Sequence, residues 1–386
     1  MSHGRYTVTC LTPVLVGDGS ALSPIDYMVW KDQVNVLDQR RIFKLLAKGP
    51  RLDSYLTQVK RADRLDFASW GGFAQNFAER RIPFEHSSLT EHWNRLRAED
   101  CFIPTFARNH NGAYLPGSAL RGALRTTAVA EAVEEAGIAT LEQTHEVTRR
   151  RLGEALEQRV MGGTSGPAGL DPLKALAIGD SGGGAERFKV HLVRTAKLVD
   201  NKGRMALGWK HPMRGSVEAN RANDAGAIFA EMATRGSVFE GDWTEREFYR
   251  ANHTVRNLGW KKGYDRRALF AAANRYAEIA LAHHRGFAEV TGLTRLAAGI
   301  QALQTKLGEA RETGSACLLS IGWGGGLLGK TAWPKVADPV FRKVMADLPF
   351  YSRAVRTGMP FPKTRQVVFE QGQPATLPGW VWLAVA

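Results

Sequence analysis

The chain of 386 residues is long enough for two packed domains, and its 44% apolar content is ordinary for globular cores. Its 52 Lys and Arg residues outnumber its 38 Asp and Glu residues, and the net charge of +14 favours a polyanionic partner over an acidic small molecule. No apolar run reaches the roughly 18 residues of a membrane span, and the first residues lack a signal-peptide pattern, so we expect a cytoplasmic protein. The three distant cysteines indicate neither a disulfide framework nor a Cys-type metal site.

The first sixty residues predict strands followed by a helix. Residues 5–16 alternate apolar and threonine side chains, which is typical of a half-buried strand. The segments Tyr27–Trp30 and Val34–Leu37 flank a short polar turn and predict a hairpin. Apolar residues between positions 41 and 59 have helical spacing.

The segment LPGSALRGALRTT, residues 115–127, predicts the start of a helix. Gly117 would permit a tight turn, and Ser118 is a good N-cap residue. Arg121 and Arg125 are four residues apart and share one helix face. A helix N-terminus beside two arginines suits an anion. The same residues are equally consistent with a capped helix that carries solvated arginines.

The best domain boundary follows a short strand in the middle of the chain. Helical character continues from Glu131 to Val160, and Leu176–Ile178 predicts a strand that ends in a glycine-rich turn. We therefore divide the chain into an N-terminal domain, residues 1–184, and a C-terminal domain, residues 185–386.

Two helices in the second half carry apolar stripes. Leu269, Ala273, Tyr276 and Ala280 recur at helical spacing, and a similar stripe runs over residues 300–307. We interpret both stripes as core-facing. Strands and helices alternate irregularly along the chain, which predicts an α+β fold with largely antiparallel sheets.

A glycine-rich loop follows the predicted strand at residues 317–321. Residues Gly324 to Thr331 match the phosphate-binding pattern of nucleoside triphosphatases, G-x-x-x-x-G-K-[ST]. Such a loop opens a long helix and needs further parallel strands, whereas Pro334 follows closely and little chain remains. This context argues against a nucleoside triphosphatase, a third hypothesis that would require nucleotide binding lost on Lys330→Ala. We expect the bare backbone to lie against RNA or against the helix that carries the two arginines.

No metal, cofactor or catalytic pair is indicated by spacing. His283 and His284 are adjacent and cannot chelate one ion as an i, i+4 pair would. Asp18, Asp26 and Asp180 lie at predicted strand ends and could act on RNA, or could bind backbone N–H groups as turn or capping residues. We predict neither a metal site nor a cofactor.

Five blocks together resemble a known family, in the same order along almost the whole chain. They are TPVLVGDGSALSPIDY, LPGSALRGALRT, IGDS, IGWGGGLLGKT and FPKTRQVVF followed by LPGWVWL. They are similar to the RAMP superfamily of CRISPR ribonucleoproteins and, within it, to the fifth subunit of the type III-A Csm complex. The resemblance implies two ferredoxin-like (RRM-type) lobes with insertions, the second less regular. It also implies a subunit that caps the filament and holds the 3′ part of the guide crRNA.

The resemblance further implies which residues bind RNA and which partners are present. The expected RNA-binding residues are Ser118, Arg121, Arg125, Gly322, Gly324, Gly325, Gly326 and Lys330. The expected partners are crRNA, the repeated RAMP backbone subunit and the small helical subunit, with target RNA contacted indirectly and no membrane. Whether nucleases that trim crRNA also bind is left open. Target cleavage belongs to the backbone subunits, so we predict a non-catalytic protein; the alternative is a metal-dependent endoribonuclease that uses Asp18 or Asp180.

Overall fold

A computed structural model describes residues 2–49, 51–61, 76–163, 171–182, 187–213, 219–356 and 359–386. Its strands, in chain order, are β1 (Ser2–Cys10), β2 (Ala21–Leu22), β3 (Tyr27–Trp30), β4 (Gln33–Leu37), β5 (Ala78–Pro83), β6 (Ile103–Pro104), β7 (Arg108–Asn109), β8 (Gly112–Ala113), β9 (Leu176–Ile178), β10 (Phe188–Asn201), β11 (Arg204–Trp209), β12 (Ile228–Ala233), β13 (Val238–Glu245), β14 (Ala316–Ser320), β15 (Thr364–Glu370), β16 (Gln373–Thr376) and β17 (Trp380–Val385).

The helices alternate with these strands. In chain order they are α1 (Gln39–Leu46), α2 (Leu52–Arg61), α3 (Leu89–Asn94), α4 (Gly117–Ala136), α5 (Ala139–Val147), α6 (Leu152–Met161), α7 (Asn252–Asn257), α8 (Arg266–Val290), α9 (Thr294–Thr313), α10 (Pro339–Asp347) and α11 (Pro349–Arg356). In the described part of the chain, none of them is long and apolar enough to cross a membrane.

The first sheet joins the two ends of the chain. Its strand order is β14–β17–β1–β13–β9, and every neighbouring pair is antiparallel. Tyr6, in the middle of β1, lies opposite Gly241 on one side and Val385 on the other. Strands from both sides of the predicted boundary enter this sheet, so a division at residues 184 and 185 does not coincide with a boundary between sheets. Those two residues themselves lie outside the described residues.

The second sheet is built wholly from residues 188–376. Its order is β11–β10–β15–β16, and β12 also pairs with β10; all of these pairs are antiparallel. Strands β10 and β11 form a hairpin whose turn has Lys202 at φ 53° and Gly203 at φ 80°. Positive φ at both central residues is typical of the turns that match the twist of paired strands.

The remaining strands form three smaller antiparallel sheets, with orders β3–β4–β5, β2–β6 and β7–β8. The predicted hairpin is confirmed, because Tyr27 pairs with Val36 and Trp30 pairs with Gln33. The predicted α+β class with largely antiparallel sheets is therefore confirmed as well.

Helix α8 lies at the centre of the fold, in contact with α4, α9 and β14. Its predicted stripe of Leu269, Ala273, Tyr276 and Ala280 is buried, so the core-facing interpretation is confirmed. The stripe of α9 is also buried, in the core between the second sheet and the two long helices. The continuous helical character predicted between residues 131 and 160 is instead divided among α4, α5 and α6, with a break at Gly137, where φ is 84°.

Candidate nucleic-acid interface

The start of α4 is held by the segment that follows β9. The Gly117 N–H donates to Asp180 Oδ1 at 2.8 Å, and the Leu115 N–H donates to Ser181 Oγ at 2.7 Å. A Cβ atom on Gly117 would lie 2.3 Å from the carbonyl oxygen of Ile178, so glycine is needed for this close approach. The Asp180 carboxylate therefore lies where the positive end of the helix dipole favours an anion.

The prediction that Ser118 is the N-cap residue of α4 is wrong. Pro116 is the N-cap, Gly117 is the first helical residue, and Ser118 is an exposed residue of the first turn. The carboxylate that binds the helix start comes from Asp180, 63 residues further along the chain. Local spacing cannot reveal a capping group at that distance.

Arg121 and Arg125 are ion-paired rather than solvated. Arg121 Nη2 lies 2.5 Å from Asp171 Oδ2, and Arg125 Nη1 lies 2.7 Å from Asp171 Oδ1. Arg125 also pairs with Glu157 of α6. Burial acts against the charge of Arg125, but Glu157 and Asp171 outweigh it and raise the pKa of the guanidinium. The two arginines thus tie α6 and residues 171–175 to α4.

The first half of the glycine-rich loop packs against its own chain. A Cβ atom on Gly322, which has φ 68°, would lie 2.1 Å from the Leu15 carbonyl oxygen. One on Gly324 would lie 2.4 Å from the Pro378 ring, and the Trp323 N–H donates to Leu15 at 2.8 Å. Gly322 and Gly324 are therefore required by packing alone.

From the Gly324 N–H group onward, the loop has hydrogen-bond donors that the described residues do not use. Among the described residues, the N–H groups of Gly324, Gly325 and Gly326 donate to no acceptor. A Cβ atom on Gly326 would meet nothing within 4 Å, and Lys330 is exposed and makes no ion pair with the described residues. Consecutive N–H groups without acceptors, close in sequence to a lysine, are groups that can bind an anion.

The same three glycines line a cavity of about 120 Å³. The walls of the cavity also include Arg365 on β15 and His284 on α8, both of which are buried. No local sequence pattern predicts this position for Arg365, because the pairing of β15 with β10 and the packing of α8 bring it to the loop. The available signal was an arginine two residues before the apolar run Val367–Phe369, and that signal is weak.

The geometry after the loop differs from that of a nucleoside triphosphatase. Residues Leu327–Gly329 form a single 3₁₀ turn, and the next helix begins only at Pro339. The Thr331 hydroxyl is buried and accepts a hydrogen bond from the Trp333 N–H at 3.1 Å. A phosphate-binding loop would instead open a long helix and direct that hydroxyl at a metal ion.

The structure brings the two predicted RNA-binding segments close to each other. Ala123, Thr126 and Thr127 of α4 line a cavity of about 10 Å³ together with Ser320 and Gly329. The part of the loop that meets α4 here is thus Gly329, and the helix face that it meets carries small residues instead of the arginines.

The candidate catalytic aspartates act as turn and capping residues. Asp18 Oδ1 accepts a hydrogen bond from the Ser20 N–H at 2.9 Å, and this bond lowers the pKa of Asp18. Asp26 Oδ2 accepts from both the N–H and the hydroxyl of Ser23, at 2.7 and 2.6 Å. Asp180 binds the start of α4. Within the described ranges, no three His, Cys, Asp or Glu residues cluster in a way that could hold a metal ion.

Comparisons with known proteins give a family and similar folds. The family model of the RAMP superfamily matches residues 7–327. One similar solved chain comes from the cryo-EM structure of a Csm–crRNA–target RNA ternary complex of a type III-A CRISPR-Cas system; it is 18% identical, with a TM-score of 0.66, over 99% of this chain and 100% of that chain. Another is the crystal structure of T. onnurineus Csm5, 16% identical with a TM-score of 0.61, over 97% and 99% of the two chains. No curated protein sequence matches. Because the family model covers well over half of the sequence, the chain belongs to the RAMP superfamily.

Proposed function

We propose that this protein is a non-catalytic RNA-binding subunit of a type III-A Csm complex, where it caps the filament and holds the 3′ part of the crRNA. The observation that carries the proposal is the end-to-end likeness of its fold to a chain from a Csm–crRNA–target RNA complex. The proposal includes two ferredoxin-like lobes, close to residues 1–184 and 185–386. It also includes a role in crRNA maturation and antiviral defence.

The charge and the loop geometry support an RNA partner. A net charge of +14 attracts a polyanion, and backbone N–H groups with a nearby lysine suit phosphate more than they suit base edges. A guide-binding subunit must accept any guide sequence, so its contacts belong on phosphates and 2′-hydroxyls. The free N–H groups of Gly324, Gly325 and Gly326 supply contacts of this kind.

Within this proposal, two segments hold the guide. The first is the glycine-rich loop with Lys330, which has free donors. The second is the start of α4 with Ser118, Arg121 and Arg125. A phosphate that reached either arginine would compete with the carboxylates that already pair with it, so we expect the loop to contribute more of the binding free energy.

The partners follow from the proposed position in the complex. They are crRNA, the repeated RAMP backbone subunit and the small helical subunit, with target RNA contacted indirectly. Nucleases that trim crRNA are further candidates.

Reconstitution of the complex with and without this chain tests the proposal. We would assemble the other subunits on a labelled crRNA and map the nucleotides protected from nuclease digestion. The proposal predicts that omission of this chain exposes the 3′ part of the crRNA and leaves the 5′ part protected. Unchanged protection of the 3′ part, or loss of protection at the 5′ part instead, would contradict it.

The alternative function is a metal-dependent endoribonuclease that processes or trims guide RNA. Incubation of the purified chain with labelled precursor RNA and Mg²⁺ discriminates between the two. We expect no cleavage. Metal-dependent products that disappear in the Asp18→Asn or Asp180→Asn protein would establish the alternative.

A further inference from the structure

Arg365 is a buried arginine without a counter-charge. The residue is 7% exposed, and no carboxylate among the described residues lies within ion-pair distance. Nη1 donates to the carbonyl oxygens of Pro362 at 2.7 Å and Thr364 at 2.9 Å. The guanidinium carbon lies 4.8 Å from the centre of the Phe287 ring. Neutral partners of this kind leave the positive charge uncompensated.

The neighbouring histidine does not supply the missing charge. Arg365 Nε donates to His284 Nδ1 at 2.9 Å, so His284 is a neutral acceptor. Burial, together with the charge of Arg365, lowers the pKa of His284 well below its ordinary value. Burial also lowers the pKa of Arg365, to about 10, which leaves the guanidinium charged at neutral pH.

Burying a charge is costly when no group of opposite charge lies beside it, even where neutral groups accept its hydrogen bonds. Here the guanidinium lies in the wall of the cavity lined by Gly324, Gly325 and Gly326. Unlike the Nη1 and Nε groups of Arg365, the N–H groups of those glycines have no acceptor in the described part of the chain. With about 120 Å³, the cavity has the volume of roughly four water molecules, which is enough for a phosphate group.

We propose that the Arg365 cavity binds one internal phosphodiester of an RNA strand, with the guanidinium as its ion-pair partner and the glycine N–H groups as hydrogen-bond donors. This inference rests on the proposed RNA-binding function and adds a specific residue and a specific ligand group. Planar guanidinium nitrogens and backbone N–H groups are the donors that recognise phosphate oxygens best. Arg365 lies in the block FPKTRQVVF that contributes to the family resemblance, but the resemblance gives it no role, and the matched family model ends at residue 327.

The test measures the affinity of the full chain for a short single-stranded RNA with hydroxyl ends, as a function of salt. In the Arg365→Met protein, we expect the affinity to fall about tenfold to a hundredfold, because a charge-assisted contact is lost. The slope of log affinity against log salt should become shallower by about 0.7, the value for one phosphate contact on a single strand. The Arg365→Lys protein keeps the charge, so its slope should be retained while its affinity falls.

Arg194→Met is the matched control. Arg194 is also a buried arginine of the second sheet, and Nη1 donates to the Ala225 carbonyl oxygen. Its side chain lies over the ring of Phe369, and it is not among the residues that line the cavity. Its replacement should leave both the affinity and the salt slope unchanged.

Three outcomes would overturn the assignment, each in a distinct way. If the unsubstituted protein binds no RNA at low salt, both the proposed function and this site are ruled out. RNA binding by the parent with an unchanged slope in the folded Arg365→Met protein would remove the site and leave the proposed function standing. If Arg365→Met lowers the affinity only for RNA that carries a 3′-phosphate, the cavity binds a terminal phosphate instead of an internal phosphodiester.

Discussion

The contact between the start of α4 and the end of β9 predicts a large effect for Gly117→Ala. The added Cβ would lie 2.3 Å from the Ile178 carbonyl oxygen and 2.6 Å from that of Gly179, and backbone atoms cannot rotate away as a side chain can. The hydrogen bond from Gly117 to Asp180 would be distorted as well. We expect a loss of about 2–4 kcal/mol in the free energy of unfolding, from steric overlap and a weakened hydrogen bond to a charged group.

Gly122→Ala is the matched control on the same helix. Gly122 is exposed, and a Cβ there would meet nothing within 4 Å. The substitution should therefore raise the free energy of unfolding by about 0.5–1 kcal/mol, the usual preference for alanine inside a helix. Equilibrium urea unfolding followed by tryptophan fluorescence measures both variants. A Gly117→Ala protein as stable as the parent would refute the close approach of α4 to residues 178–180.

Three further changes test other parts of the account. Burial lowers the pKa of His191 to about 3, so below about pH 6.5 the unfolded chain takes up a proton that the folded chain does not, and the folded state loses stability. His191→Leu removes this loss and should therefore raise the free energy of unfolding at about pH 5 by about 2 kcal/mol relative to its effect at about pH 7.5. Urea unfolding at the two pH values measures the difference. Arg125→Met should lower the free energy of unfolding by about 1 kcal/mol, since the Arg125 side chain is one-third exposed, and a double-mutant cycle with Glu157→Gln should show coupling. Lys330→Ala should leave the free energy of unfolding unchanged and lower the salt slope of RNA binding by about 0.7. An unchanged slope would show that Lys330 does not contact an RNA phosphate.

The local sequence pattern predicted those elements whose structure depends on residues close together in the chain. The hairpin of β3 and β4 and the buried stripe of α8 follow from alternation and from helical spacing, respectively. The strand before the glycine-rich loop was predicted at residues 317–321 and is observed as Ala316–Ser320. These features need no knowledge of distant contacts.

The remaining features depend on contacts between distant segments. Strand β1 pairs with β13 and β17, more than 200 residues away, which joins regions that sequence analysis had assigned to separate domains. Asp180 replaces Ser118 as the group at the start of α4, and Asp171 neutralises arginines that spacing alone had left free to bind an anion. Arg365 meets His284 across 81 residues, and nothing in their local sequences links them.

Titration of the full chain with three unrelated single-stranded RNAs, over a range of salt concentrations, tests the central claim most directly. The account predicts similar affinities for all three sequences, because the proposed contacts are to phosphates and 2′-hydroxyls. It also predicts that the affinity falls steeply with salt. Absence of binding at low salt, or tight and salt-independent binding to one sequence alone, would contradict the claim that this protein holds guide RNA by its backbone.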